Sequence, residues 1–247
     1  MRGTSDVCGC FPTGRQYPGI SHIANIAFVG AAREIEASKP WINHTIAMID
    51  TETTGRDPND DRIVEIAIVK GRDGAILSQD SWLINPEMPI PAEAAAVHGI
   101  HDDDVRGQPV FAEVCDEILE CLANAIPAAY NAPFDRRFLL AEIARLGKSS
   151  HADVPAIRDR VIWIDPLVWA RVLYPNEKSR KLTAMATLLN VTLEQAHRAT
   201  ADAEAALMVM YKMANDSRVP EGYGQMVQEQ QNAERAQEDA RRIWRRR

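Results

Sequence analysis

The segment Thr45-Ile46-Ala47-Met48-Ile49-Asp50-Thr51-Glu52-Thr53-Thr54-Gly55 constrains this chain more than any other stretch. It is an apolar run that ends in two carboxylates spaced by one residue, and it reads as a strand presenting a metal site. Side chains on a strand alternate faces, so Asp50 and Glu52 project to one side together with Met48, while Ile49 packs behind. Converging carboxylates repel each other unless a cation sits between them. Hard oxygen ligands suit Mg²⁺ or Mn²⁺, and Mg²⁺ takes one or two protein carboxylates plus substrate phosphate oxygens. The pattern points to phosphoryl-transfer chemistry; the plainer alternative is a strand end with two solvated acids.

Two further segments add acids and a base. Ala128-Ala129-Tyr130-Asn131-Ala132-Pro133-Phe134-Asp135 is a short apolar strand running into a helix, with Asp135 early in that helix. The helix continues through Phe138, Leu139, Leu140, Ile143 and Leu146 at helical spacing and stops at Gly147. His197-Arg198-Ala199-Thr200-Ala201-Asp202-Ala203 opens another helix carrying Ala205, Ala206, Met208, Val209 and Met213. Taken singly, Asp135 is an acid favoured by a helix N-terminus, Asp202 a capping acid and His197 a surface histidine.

Taken together, Asp50, Glu52, Asp135, His197 and Asp202 resemble the DnaQ-like 3′–5′ exonucleases of the DEDDh type, in the ribonuclease H-like superfamily, and are similar to proofreading epsilon-subunit domains. The family motifs read D-x-E-T-T-G, N-A-x-F-D and H-x-A-x-x-D-A; this chain has I-D-T-E-T-T-G, N-A-P-F-D and H-R-A-T-A-D-A. Asn85-Pro86 through Ile90-Pro91, then Val97-His98-Gly99-Ile100, look like the family's substrate-side loop and its H-G-I signature. Tyr130 stands where many members have a histidine. The resemblance spans roughly residues 45 to 215.

The resemblance implies an α/β, ribonuclease H-like fold: a mixed five-stranded sheet, second strand antiparallel, flanked by helices. Asp50 and Glu52 would lie on the central strand, with Asp135 and Asp202 on helices facing it. It also implies two divalent cations, Mg²⁺ or Mn²⁺, held by the four carboxylates. Asp50, Glu52 and Asp202 would bind the nucleophile-side ion, Asp50 would bridge to the second, and Asp135 would support that one. One ion lowers the pKa of the attacking water and the other neutralises charge on the leaving 3′-oxygen. His197 would take the water's proton as general base, a task suited to an imidazole at neutral pH. Thr53, the backbone around Gly55, His98, Asn131 and Phe134 would contact the terminal nucleotide.

The expected activity is removal of nucleoside 5′-monophosphates from single-stranded or frayed DNA 3′ ends, in proofreading, repair or end-trimming. RNA 3′-trimming is the first alternative, because the chemistry is the same. The T-E-T-T-G and H-G-I signatures favour DNA, since oligoribonuclease-like members read D-L-E-M-T-G. An accessory subunit docking on a polymerase or other nucleic-acid machinery through its tail is the second. Glu65, in a strongly apolar strand, reads either as a supporting acid or as a partner-paired glutamate. Asp102-Asp103-Asp104 reads as acids opening a short helix.

With 247 residues and 46% apolar content, the chain suits one large domain with tails. We place an N-terminal extension at 1–44, the exonuclease domain at 45–217, and a linker with a basic helical tail at 218–247. Apolar strands near 45–50, 62–70, 75–84, 127–131 and 161–165 are followed or separated by helices near 111–124, 133–146 and 200–215. The extension carries Cys8-Gly9-Cys10, a weak metal pair better read as reduced thiols, and a more helical stretch from Ala31 to Ala37. Cys115 and Cys121 fall on a helix as core or near-core residues. With no secretory signal or membrane-spanning run, the expected location is cytoplasmic, away from membranes.

In the tail, Ala233, Ala236, Ala240 and Ile243 share a helical face, and the chain ends Arg241-Arg242-Ile243-Trp244-Arg245-Arg246-Arg247. Such an end suits phosphate backbone or a protein partner. The net charge of −7 opposes nucleic-acid binding until the site acids are neutralised by cations. Arg136, Arg137, Lys178, Arg180, Lys181 and Arg198 are near the motifs and available to follow a backbone. No base-reading module is visible, which argues against sequence-specific recognition.

Overall fold

Alternation along Ile46–Thr53 (β1) sets the architecture, because its two faces enter two different cores. The computed structural model describes residues 35–147, 154–193 and 198–244. All described residues belong to one compact unit. The expectations for Cys8, Cys10 and His197 fall outside the described residues.

Ile63–Arg72 (β2) and Ala75–Leu83 (β3) complete an antiparallel meander with β1. Ala92–His98 (α1), Asp102–Val105 (α2) and Phe111–Leu122 (α3) follow. Ile126–Ala128 (β4) then pairs parallel with β1, giving the order β3-β2-β1-β4. Ala132–Arg145 (α4), Pro166–Leu173 (α5), Leu182–Leu188 (α6), Ala199–Met213 (α7) and Tyr223–Trp244 (α8) complete the described elements.

The sheet is mixed and helix-flanked, with β2 antiparallel to both neighbours, as expected. Among the described residues it has four strands instead of five. The strand expected at 161–165 is reduced to one parallel bridge, Ala128 to Ile164. Pro127 accounts for this. Its carbonyl accepts from Ile164 N (2.9 Å), so its nitrogen points the same way but carries no hydrogen with which to extend the ladder. On the other side of the bridge Asp165-Pro166 starts α5 immediately. The strand expected at 127–131 likewise ends at Ala128, because Asn131 adopts φ 78° and caps α4.

One core joins Met48, Val69 and Ala128 to Trp169 and Leu173 of α5 and Ala203, Leu207 and Met210 of α7. The other joins Ala47, Ile49, Ile66 and Ile68 to Cys115 and Ile118 of α3 and Phe138, Leu139 and Ile143 of α4. Strand β2, covered on both faces, is accordingly almost wholly buried, whereas edge strand β3 alternates exposed and half-buried residues. Cys115 is buried and Cys121 half-buried.

Residues 35–37, part of the helix expected at 31–37, are not helical. The Ala37 carbonyl instead accepts from Gly224 N (2.9 Å), tying this segment to the start of α8. Helix α8 packs against α5: Gln230, 1% exposed, accepts from Asp165 N (2.8 Å) and donates to Trp163 O (2.9 Å). Ala236, Ala240 and Ile243 are on its exposed side. No helix among the described residues is long and apolar enough to cross a membrane.

Candidate active site

The two faces of β1 continue past the cores into the site. Asp50 and Glu52 extend the Met48 face, towards α7 and its first-turn acid Asp202. One carboxylate oxygen from each of Asp50, Glu52 and Asp202 lies within 4.8 Å of the other two, and this is the one such acid or histidine group among the described residues. Thr51 extends the Ile49 face, towards α4. There Asp135 Oδ1 accepts from Thr51 N (3.0 Å) and Thr51 Oγ1 (2.8 Å). Asp135 is therefore beside the trio, not in it, with a carboxylate 3% exposed.

The electrostatics are unfavourable to four anions. Burial first, then the charges of Asp135, Glu52, Asp202 and Glu65, hold the Asp50 carboxyl well above the usual range. Burial, with Asp202, Glu65 and Asp135, pushes Glu52 up to about 8, against a lowering by Arg198. Burial raises Asp135 to about 7 although the Thr51 hydrogen bonds pull it down. A hard divalent cation among Asp50, Glu52 and Asp202 relieves this repulsion, so the donor set fits Mg²⁺ or Mn²⁺.

Each helix that brings an acid is tied down by another acid. Glu65, opposite Glu52 in the β1–β2 register and 4% exposed, accepts from Arg198 Nη2 (3.1 Å) and Ala199 N (3.3 Å), at the N-terminus of α7. Asp165 does the same for α4, accepting from Asn131 N (3.0 Å) and Ala132 N (3.1 Å) while capping α5 through Leu167 N (2.9 Å). The far end of α4 is fixed by buried Glu142, which accepts from Arg62 Nε (2.8 Å) and Ile63 N (3.2 Å).

Next to Glu52 is a cavity of about 450 Å³, lined on one side by Thr53, Gly55 and Phe134 and on the other by His98 and Val97 of α1. His98 Nδ1 accepts from Ile100 N (3.1 Å), which places the ring hydrogen of the neutral imidazole on Nε2. That Nε2 is buried and without a hydrogen-bond partner among the described residues. Burial lowers the His98 pKa, against a raising by the nearby Thr53 backbone, a contact too poorly aligned to count as a hydrogen bond to Nε2. Phe134 is tilted against Phe138 with centroids 4.9 Å apart, presenting an aromatic wall anchored in the core.

Residues 47–210 match the RNase_T family, described as exonucleases. The chain belongs to this exonuclease family. With it goes membership of the DnaQ-like 3′–5′ exonucleases of the ribonuclease H-like superfamily. This exonuclease-family chain is 34% identical over 163 residues to the DNA polymerase III PolC-type of Clostridium perfringens (strain 13 / Type A), covering 66% of the chain and 11% of that protein. Against the Bacillus subtilis (strain 168) protein of the same name it is 32% identical over 192 residues, covering 78% and 12%. The chain thus spans a small part of these relatives. Exonuclease X, solved with 5′ overhanging duplex DNA, superposes with a TM-score of 0.58 at 26% identity, covering 75% of this chain and 99% of that one. Exonuclease I shares the fold, with a TM-score of 0.61 at 18% identity over 71% of this chain and 42% of its own.

Within this exonuclease-family chain the expected nucleotide contacts divide. Thr53, Gly55, His98 and Phe134 share the 450 Å³ cavity, whereas Asn131 lines two others. Thr53 Oγ1 donates to Gly55 O (2.6 Å), so its hydroxyl holds the turn after β1. A side chain at Gly55 would place its Cβ 2.3 Å from the Asp61 carboxylate, which explains glycine there. The acidic run forms the first turn of α2, where Asp104 accepts from His101 N at the helix cap, while Asp102 accepts from Ile90 N in the preceding loop (2.8 Å each).

Sequence reasoning missed Thr51, Asp165 and Gln230. The Asp-Pro dipeptide at the end of an apolar run was a readable cap signal for Asp165. Thr51 and Gln230 carry no local signal, since their partners lie 84 and 65 residues away.

Proposed function

We propose that the protein is a metal-dependent 3′–5′ exonuclease that hydrolyses the terminal phosphodiester of single-stranded or frayed DNA 3′ ends and releases nucleoside 5′-monophosphates. The observation that carries this is the trio of carboxylate oxygens within 4.8 Å of one another beside a nucleotide-sized cavity. Exonuclease X, solved on overhanging duplex DNA, and the PolC-type polymerases support DNA and a proofreading, repair or end-trimming setting.

Divalent cations, when bound, lower the pKa of the attacking water and neutralise charge on the leaving 3′-oxygen. Asp50, Glu52 and Asp202 would hold them, with Asp135 supporting. The remaining tasks belong to the chain. His98 lines the cavity beside the terminal sugar and phosphate with a neutral ring, and Phe134 offers a face on which the terminal base stacks. His197, five residues before Asp202, is assigned the general-base role by the family pattern.

The test is a time course on 5′-labelled DNA and RNA strands of one sequence, with Mg²⁺ or Mn²⁺, beside Asp50→Ala. A ladder shortening from the 3′ end that vanishes in the variant is the expected result, faster on DNA. Faster RNA shortening would transfer the assignment to RNA trimming. No shortening of either strand would overturn the enzyme reading and favour a partner-dependent subunit acting through α8.

A further inference from the structure

We propose that Arg171, Arg180 and Lys181 form a second anion site, which holds a backbone phosphate of the polynucleotide whose 3′ end lies at the carboxylate trio. The inference rests on the exonuclease reading above and adds an anchoring subsite to it.

These three cations line a cavity of about 530 Å³ together with Tyr130, Asn131 and two leucines, and its lining contains no carboxylate. Asn131 is the cap of α4, about one turn before Asp135, so the cavity adjoins the catalytic helix. A second cavity of about 630 Å³ shares Asn131 and Arg171 and continues to Arg241 and Arg242 of α8, where Asp165, Glu234 and Glu238 also line it and Arg242 pairs with Glu238. Helix α8 lies beyond residues 47–210, so these last arginines come from outside the family match.

Arg171 is the centre of the argument. It is half-buried, its Nη1 donates to the neutral Gln237 Oε1 (3.2 Å), and it forms no ion pair among the described residues. Asp165, the nearby opposite charge, is already taken up by three backbone N–H donors. Burial and then the Arg241 charge depress the Arg171 pKa, Asp165 and Tyr130 pull it back up, and Arg180 lowers it further. A guanidinium so placed is the complement of a phosphodiester.

The site is also held open before any ligand arrives. Arg180 Nε donates to Tyr174 O (3.0 Å), and its Nη2 donates to the Pro175 carbonyl. The Tyr130 hydroxyl donates to Arg180 O (2.5 Å) and fixes the loop from the sheet side. Burial raises the Tyr130 pKa, so the hydroxyl stays protonated and able to donate. Tyr130 is the position at which this chain departs from the family's common histidine. In a chain of net charge −7, a local cationic cavity also supplies the attraction that a polyanion needs near the acidic trio.

The experiment compares full-length protein with Arg171→Gln, Arg180→Gln, Lys181→Gln, the triple variant and Tyr130→Phe. Two substrates are used: a single-stranded DNA of about twelve nucleotides, and the p-nitrophenyl ester of thymidine 5′-monophosphate, which has one phosphodiester and nothing beyond it. Expected is a KM for the oligonucleotide raised about tenfold in the triple variant. The salt slope of log KM should fall by about 0.7 for each cation removed. Ester kcat/KM should not change, and Tyr130→Phe should show a smaller effect of the same kind.

Equal losses on both substrates, or an unchanged oligonucleotide KM and salt slope, would overturn the proposal. Exposed Lys181→Gln keeps the test valid if Arg171→Gln fails to fold. Fluorescence anisotropy of the labelled oligonucleotide in Ca²⁺ separates the two readings. If wild-type protein hydrolyses neither substrate yet the variants lose binding, the exonuclease reading fails and the anion site stands.

Discussion

Thr51 tests whether the back of β1 tunes the front. Thr51→Val preserves shape and β-branching but removes one of the two donors to Asp135 Oδ1, leaving only the backbone N–H. A hydrogen bond to a buried charged group contributes about 1.5–3 kcal/mol. At roughly 1.4 kcal/mol per pKa unit this raises the Asp135 carboxyl by about one to two units. It already sits at about 7, so at pH 7.5 the variant loses most of its ionised fraction. The Mg²⁺ concentration for half-maximal oligonucleotide hydrolysis should rise roughly tenfold, and the acid limb of the pH–rate profile should move up by about one to two units. Thr51→Ser, which keeps the hydroxyl, should restore both. A Thr51→Val enzyme with wild-type Mg²⁺ dependence and pH profile would refute the claim that this bond controls Asp135.

Glu52 and Asp135 have folded-state pKa values raised to about 8 and about 7, so their protonated forms stabilise the metal-free fold below their unfolded pKa values, and that stability is lost as pH rises through 7 and 8. Thermal melts in EDTA should therefore show a Tm falling between pH 5 and pH 8, with added Mg²⁺ raising it most at pH 8; a flat or rising metal-free Tm would contradict this. Asp50→Asn should abolish hydrolysis yet raise the Tm of the metal-free protein at pH 8 by several degrees, at about 2–4 °C per kcal/mol, because it removes one of the repelling charges. Gln230→Leu should lower the unfolding free energy by about 1–3 kcal/mol, since it leaves Asp165 N and Trp163 O unpaired in a buried place, and denaturant unfolding at fixed pH measures it. Gly55→Ala should reduce activity through displacement of Asp61, which holds the turn by accepting from Asp57 N (2.8 Å), and a crystal structure with Asp61 unmoved would remove that explanation.

The parts of the site legible in the sequence are those governed by short-range periodicity. Asp50 and Glu52 share a face because a strand alternates, and Asp135 and Asp202 lie in first turns because the apolar spacing after them is helical. The face of β1 on which each helix lies was not legible, and it decides that Asp135 bonds Thr51 instead of joining the trio. The lost fifth strand was legible only in retrospect. Pro127 sits in a run that reads as strand, and whether its missing hydrogen matters depends on which neighbour its nitrogen faces. Glu65 was left open between two roles because its partners, Arg198 and Ala199, are 133 and 134 residues distant. The separation of Asn131 from Phe134, three residues apart on one helix start, follows from a left-handed φ of 78° that an Asn-Ala-Pro sequence allows but does not demand.

The site can be understood as a strand whose two faces are each served by one helix N-terminus. Asp202 lies in the first turn of α7 and Asp135 in the first turn of α4, where the helix dipole favours an anion by about 0.3–1 kcal/mol. Yet the terminal amides of both helices are taken by other acids, Glu65 at Ala199 and Asp165 at Asn131 and Ala132. The structural acids thus occupy amides at both helix N-termini that would otherwise be open to an anion. Asp50, Glu52 and Asp202 are left close together, with the Arg198 charge reaching Glu52 only after Arg198 has paired with Glu65. The mutual repulsion of carboxylates at such separations, on the order of several kcal/mol, exceeds what the dipoles return. A divalent cation removes that excess, so the affinity of the site for metal and the instability of the metal-free fold at high pH have one electrostatic origin. Changes that lessen one should lessen the other.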